Sequence, residues 1–174
     1  MDAGQWIDRT EAEQTTLEEL LKRYAKEVSI SKRGKDAEEV RIEQFKKTNL
    51  AKYSVASITG QMVAEWRDSR LKEVSGSTVC RDLTLLSHVF SVAIREWGIA
   101  LHSNPVSLIR KPPAGKPRDR ILTSEQRAAL VGACGQCQSP WVKPVVVFAL
   151  ETAARRGEIL ALTWRDVDLE RKVA

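Results

Sequence analysis

The sequence is poor in the residues that staple, hydrolyse or span. Three cysteines, Cys80, Cys134 and Cys137, are an odd number in a chain of 174 residues, so reduced thiols are expected in place of a disulfide framework. Cys134-x-x-Cys137 has metal-ligand spacing, but a zinc site needs four ligands and no second pair exists; no metal and no cofactor are expected. The two histidines, His88 among the periodic residues of a long helix and His102 in a loop, do not pair in sequence with a cysteine or serine as a nucleophile requires. Neither G-x-x-x-x-G-K-[ST] nor G-x-G-x-x-G occurs, which argues against nucleotide hydrolysis. No stretch approaches the roughly 18 apolar residues of a membrane span. Met1 to Thr10 has neither the basic start nor the apolar centre of a signal peptide, so a cytoplasmic protein is expected.

What is present is an ordinary globular composition, 43% hydrophobic and 29% charged, with 28 Lys and Arg against 23 Asp and Glu. The net charge of +5 admits a nucleic-acid partner without demanding one. Its distribution says more. Residues 1–28 carry four bases against seven acids, so the remainder carries +8. Two short segments supply most of that excess: Lys32, Arg33 and Lys35, and then Arg110, Lys111, Lys116, Arg118 and Arg120.

The periodicity is helical throughout. Thr16 with Glu19 forms a capping box ahead of Leu17, Leu20, Leu21, Tyr24 and Val28, predicting a helix over about 16–28. Asp36 with Glu39 opens a more polar helix to about Lys47, with Val40 and Phe45 as its thin apolar face. Ile58, Met62, Val63, Trp66 and Leu71 mark a third helix from near Thr59. After Ser75-Gly76-Ser77 comes the longest, lined by Val79, Leu83, Leu86, Phe90, Ala93, Ile94 and Trp97, with Gly98 placed to end it. Trp66 and Trp97 fall on apolar faces and read as core, not as platforms for bases. Four prolines between Asn104 and Arg120 predict a semi-rigid basic linker. Beyond it Thr123 with Gln126 caps another helix, Pro140 to Ala153 reads as helix in spite of three consecutive valines, and Gly157 to Trp164 as a short helical stretch.

The chemistry-bearing groups suit phosphate. Ser77-Thr78-x-x-Arg81 would set hydroxyls, free backbone N–H groups and a guanidinium at one helix N-terminus, although an ordinary N-cap with a solvated arginine reads the segment equally well. The most specific segment runs Glu151-Thr-Ala-Ala-Arg155-Arg-Gly-Glu158-Ile-Leu-Ala-Leu-Thr-Trp164-Arg-Asp166-Val-Asp168. An arginine entering a helix with a glutamate three residues on can hold an anion while the carboxylate orients it.

That segment resembles the first arginine box of the tyrosine recombinases, the phage integrase family, T-G-x-R-x-x-E-[IL] followed by L-x-W-x-D-[IV]-D. It matches at Thr152, Arg155, Glu158, Ile159, Leu162, Trp164, Asp166, Val167 and Asp168, and departs at Ala153, where the family has glycine. Thr16 to Val28, Ser77-Thr78-x-x-Arg81-x-Leu83, Asn104-Pro105 and Leu122-Thr123-x-x-Gln126 extend the likeness through most of the chain. The resemblance implies an all-α fold: a flexible start (1–10), a helical, SAM-like core-binding domain (11–104), a basic linker (105–120) and the mainly helical, incomplete start of a catalytic domain (121–174). It implies duplex DNA as partner, with other recombinase protomers in a tetrameric synapse, in a bacterial or phage, nucleoid-associated setting. Arg155 takes the role of the catalytic arginine on the scissile phosphate, Glu158 that of its support, and Lys32, Arg33, Lys35, Ser77, Thr78, Arg81, Arg118 and Arg120 are expected on DNA. The family's tyrosine nucleophile, which forms a 3′-phosphotyrosine bond, lies beyond Ala174, so the 174 residues alone are expected to be inert. A non-catalytic DNA-binding regulator or recombinase decoy remains open, as does a helical interaction domain, which would leave the basic linker and residues 151–168 without a role.

Overall fold

The structure is a computed structural model and describes residues 9–113, 115, 119–168 and 170–171. It divides into two compact units, Met1–Lys116 and Pro117–Ala174. Both are helical, and an isolated antiparallel bridge pairs Thr16 with Ser54 in the first.

In the first unit, α1 (Thr10–Gln14) is a single turn that periodicity did not disclose. It is tied down by backbone: the Ala56 N–H donates to the Ala12 carbonyl at 3.0 Å and the Val55 N–H to the Thr15 carbonyl at 2.9 Å. Residues 1–8, within the expected flexible start, lie outside the described residues. Helix α2 (Leu17–Glu27) begins at the expected capping box: the Glu19 N–H donates to Thr16 Oγ1 at 3.2 Å and the Thr16 N–H to Glu19 Oε2 at 2.8 Å. Leu17, Leu20, Leu21 and Tyr24 are buried along one side, the i, i+3, i+4, i+7 stripe that a helix of 3.6 residues per turn presents to a core.

Helix α3 (Lys35–Lys46) follows Gly34 as N-cap, two residues before the Asp36 of the expected acidic opening. Its buried face is Ile42 and Phe45; Val40, read as core from the sequence, is 59% exposed. Two residues before Ile42 on a helix is about 200° away, so Ile42 and Val40 cannot share the core side. Helix α4 (Gly60–Arg70) is capped by Thr59, whose Oγ1 accepts from the Met62 N–H, and it buries Val63. Trp66 on α4 stacks on Phe45 with ring centroids 4.7 Å apart.

Helix α5 (Gly76–Arg95) is the axis of the unit. Val79, Leu83, Leu86, Val89, Phe90 and Ala93 are almost fully buried, each large side chain contributing about 1.5–3 kcal/mol of transfer free energy. Gly98, at φ +68°, takes a left-handed conformation free of any Cβ clash and lets the Ile99 N–H return to the Ala93 carbonyl at 2.9 Å.

The proline-rich segment starts as structure. Pro105–Leu108 form a 3-10 turn, and Asn104 anchors it: Oδ1 accepts from the Val106 N–H, while Nδ2 donates to the Ser87 carbonyl at 2.8 Å and to the Ser91 hydroxyl at 3.2 Å. The chain then runs along α4 and α5, where Arg67 donates to the Arg110 carbonyl at 2.7 Å and the Cys80 thiol to the Pro112 carbonyl. Carbonyls that proline leaves without a regular ladder are thus taken by side chains. Gly76 is where this segment comes closest: a Cβ there would lie 3.2 Å from the Pro113 carbonyl oxygen.

The second unit has α6 (Ser124–Cys134), α7 (Val142–Thr152) and α8 (Arg156–Ala161). Thr123 and Gln126 form the expected capping box on α6. Pro144 sits in the first turn of α7, where its missing N–H costs no helical hydrogen bond, and the three valines continue as helix. Arg127 on α6 pairs with Glu151 on α7. Among the described residues of this unit only Cys134 is buried, and Trp141, Leu160 and Trp164 are largely exposed.

Candidate nucleic-acid interface and arginine site

Residues of the first basic segment have divided roles. Arg33 and Lys35 are exposed and make no ion pair among the described residues. Lys32 instead turns inward: Nζ donates to the Tyr24 hydroxyl at 2.7 Å and to Glu38 at 2.9 and 3.1 Å. Its three protons therefore have three acceptors within the chain, unlike those of Arg33 and Lys35. Burial works against the ammonium, but the bonds to Tyr24 and Glu38 outweigh it and hold Lys32 above its ordinary value. Burial likewise opposes ionisation of Glu38, and the Ser29 hydroxyl and Lys32 reverse the balance, keeping that carboxyl low.

At the start of α5 the N-cap is Ser75, whose Oγ lies 3.0 Å from Thr78 Oγ1 and 3.1 Å from Ser77 Oγ. Ser77 and Arg81 are exposed, Thr78 is half-buried, and the Arg81 guanidinium has no partner among the described residues. Pro112 and Pro113 lie against this same helix end, beside Gly76 and Cys80. Arg118 lies outside the described residues; Arg120 is exposed.

Sequence reasoning missed two side-chain groups, because their members are far apart in the chain. In the first, Tyr24 Oη is 2.6 Å from His88 Nδ1, continuing the Ser29–Glu38–Lys32 chain onto α5. The only readable trace was the spacing of Ser77, Arg81, Thr84 and His88 on one face of α5. In the second, Asp82 floors a groove of about 660 Å³ walled by Phe45 and Trp66. Its carboxylate is 3.6 Å from Arg70 Nε and 3.8 Å from Arg41 Nε, and Oδ1 accepts no hydrogen bond. Burial pushes this carboxyl above its ordinary value, with Arg70 and Arg41 pulling the other way.

In the second unit Arg155 is the N-cap of α8. Its guanidinium donates to Glu158 Oε1 at 2.7 Å and its backbone N–H to Oε2 at 2.8 Å, so one carboxylate holds both ends of the residue. Those two bonds, backbone first, keep the Glu158 carboxyl below its ordinary value. The side chain is 87% exposed, leaving the remaining guanidinium N–H groups open to an anion. The preceding turn passes through Ala153 at φ 55°, a left-handed conformation that explains why glycine belongs in the pattern at this position. Asp166 accepts from the Thr163 N–H and hydroxyl, and Asp168 Oδ1 from the N–H groups of Glu170 and Arg171. Leu169 and the residues after Arg171 lie outside the described residues. Among the described residues no three His, Cys, Asp or Glu side chains gather as a metal site, and no helix is long and apolar enough to cross a membrane.

No protein-family model matches the chain. A Haemophilus influenzae protein named as an integrase/recombinase is 34% identical over 190 aligned residues, 98% of this chain and 51% of the relative. The shufflon-specific DNA recombinase of Escherichia coli is 38% identical over 167, covering 91% and 43%. Among solved structures, a lambda integrase dimer bound to a COC′ core site superimposes with a TM-score of 0.72 at 22% identity, over 88% of this chain and 43% of that one. The chain belongs to the tyrosine recombinase, or phage integrase, family, and spans about half the length of the curated relatives it matches.

Proposed function

We propose that this chain is the DNA-gripping, amino-terminal portion of a site-specific recombinase that breaks and rejoins DNA through a 3′-phosphotyrosine intermediate. One observation carries the DNA-binding part. The hydrogen-bond chain from Lys32 through Tyr24 to His88 joins the first basic segment to the exposed face of α5, so that charges some 50 residues apart in sequence share one surface. Arg33, Lys35 and Arg81, with the hydroxyls of Ser77 and Thr78, are the phosphate ligands on that surface, and Arg118 and Arg120 extend the contact along the linker. The relatives named as recombinases, and the lambda integrase bound to its core site, support this reading. In the second unit Arg155, oriented by Glu158, binds the scissile phosphate and offsets the charge that builds on it in the transition state. The core-binding and catalytic portions are proposed to divide within residues 105–120, with further protomers joining on DNA.

The test is a salt series. The chain should bind duplex DNA with log K falling linearly in log salt, and Arg33→Ala, Lys35→Ala and Arg81→Ala should each flatten the slope by about one. The paired change Arg118→Ala, Arg120→Ala should flatten it further, and an unchanged slope would remove the linker from the interface. For the chemistry, residues 1–174 should form no covalent adduct with a suicide substrate. Tyr24 is fully buried with its hydroxyl engaged, and the unit bearing Arg155 contains no tyrosine in the sequence given. A longer form carrying a downstream tyrosine should form an adduct that disappears on Arg155→Ala. A covalent band from residues 1–174 would refute the assignment.

A further inference from the structure

Helix α5 carries a second feature besides its phosphate-binding start. Ser77, Arg81, Thr84 and His88 are exposed and stand within about 60° of one another around the helix, at spacings of four, three and four residues. The stripe contains no carboxylate, and it runs about 16 Å along the axis at 1.5 Å per residue. A solvated helix face usually mixes both signs; this one offers donors and hydroxyls only.

His88 is the one member of the stripe held from behind. Lys32 has only protons to give, so the Tyr24 oxygen accepts from it. Tyr24 is fully buried, and its own hydroxyl proton must find an acceptor; His88 Nδ1, at 2.6 Å, is the acceptor in reach. A neutral imidazole that accepts at Nδ1 carries its hydrogen on Nε2. No described residue partners Nε2. The ring is further fixed by an edge-on contact with the Tyr24 ring, centroids 5.6 Å apart at 79°. Glu38 accepts from both Lys32 and the Ser29 hydroxyl, the latter at 2.6 Å, which fixes the Lys32 ammonium behind Tyr24; from Lys32 the donors run outward through Tyr24 to His88.

We propose that His88 is a hydrogen-bond donor to duplex DNA through Nε2–H, with Tyr24 and Lys32 as positioning residues that set its tautomer and ring orientation; this rests on the DNA-binding reading of α5 above. The acceptor is an oxygen or nitrogen of the duplex, and two sources share that chemistry: a purine N7 in the major groove, and a phosphate oxygen.

The experiment uses the 174-residue chain and a duplex that it selects from a random pool. His88→Ala should weaken binding about 3- to 10-fold, the scale of one neutral hydrogen bond. His88→Gln, whose amide nitrogen reaches the Nε2 position, should restore most of the affinity, and His88→Asn, which reaches only the Nδ1 position, should not. Tyr24→Phe keeps the core ring and removes the hydroxyl; it should lose part of the affinity with the salt slope unchanged. Nitrogen-15 NMR of the free chain should show His88 as the Nε2–H form, and as a mixture of tautomers in Tyr24→Phe. With 7-deazapurine duplexes, an Ala penalty that vanishes assigns the acceptor to a base edge, and one that persists assigns it to phosphate. Equal affinities for Ala, Gln, Asn and wild type, or an Nδ1–H tautomer in the wild type, would overturn the proposal while leaving the DNA-binding reading intact. Failure of the wild-type chain to bind any duplex would instead sink that reading, with the NMR result reporting the tautomer on its own.

Discussion

Replacing Ala153 by glycine should tighten the turn that delivers Arg155. Ala153 ends α7 at φ 55° and ψ 17°, where an L-residue's Cβ crowds the following carbonyl at a cost of about 1–2 kcal/mol. Glycine removes that cost but adds about 0.4–1 kcal/mol of unfolded-chain entropy. The net expectation is a gain of roughly 0.5–1 kcal/mol. Two bonds report it locally: the Ala153 N–H to the Ala149 carbonyl at 2.9 Å, and the Ala154 N–H to Thr152 Oγ1 at 3.3 Å. Amide hydrogen exchange, corrected for the intrinsic rate of glycine, should show protection at 153 and 154 rising about two- to fivefold, since 1.4 kcal/mol corresponds to a factor of ten. Ala153→Val should move the same amides the other way, because a β-branched residue tolerates this conformation least. Protection that is unchanged or lower in the glycine variant, with valine equal to alanine, would show that the turn is unstrained and refute the reasoning.

The orphaned acid Asp82 gives a pH-dependent outcome. Because its folded value is raised, ionising it costs stability, a cost absent below the ordinary value of 3.8 and complete above the folded one. The stability of Asp82→Asn relative to wild type should therefore improve between pH 3 and pH 7 in urea melts, and a growing deficit with pH would show that Arg41 and Arg70 dominate instead. Thr16→Ala removes the hydroxyl that accepts from the Glu19 N–H in the α2 capping box and should cost about 1 kcal/mol, read as a lower urea midpoint at unchanged m-value. Asn104→Ala strips the Pro105–Leu108 turn of its anchor to α5 and leaves the Ser87 carbonyl with the Ser91 hydroxyl as its side-chain donor; a loss of about 1–3 kcal/mol and faster exchange at Val106 are expected.

Helix existence, start points and most of the core were legible because they rest on local rules. A hydroxyl at the N-cap with a Glu or Gln three residues on needs no tertiary partner, and Thr16 and Thr123 open helices where those signals stand, while Thr59 caps by its hydroxyl alone. The arginine box was legible for the same reason: Arg155 and Glu158 are one helical turn apart, and their pairing is a consequence of pitch. The failures are equally physical. Val40 and Ile42 are both apolar residues on a short, polar helix, and only the position of α2 and α5 decides which of them is inside. Lys32 looks like Arg33 and Lys35 in sequence, yet Tyr24 on α2 and Glu38 on α3 take up its ammonium. The proline-rich segment reads as linker by composition, but free carbonyls and the donors Arg67 and Cys80 turn its first part into packed structure.

The sequence by itself therefore determined the helices, their caps, the chain's basic bias and the family to which residues 151–168 point, since each depends on contacts within about four residues. The tertiary structure alone decided which charges remain free to meet a partner. Tyr24 and His88 are 64 residues apart and share a 2.6 Å hydrogen bond, and Asp82 meets two arginines from different parts of the chain. Long-range pairing of this kind leaves no period or spacing in the chain, because it is set by how helices pack and not by how they form.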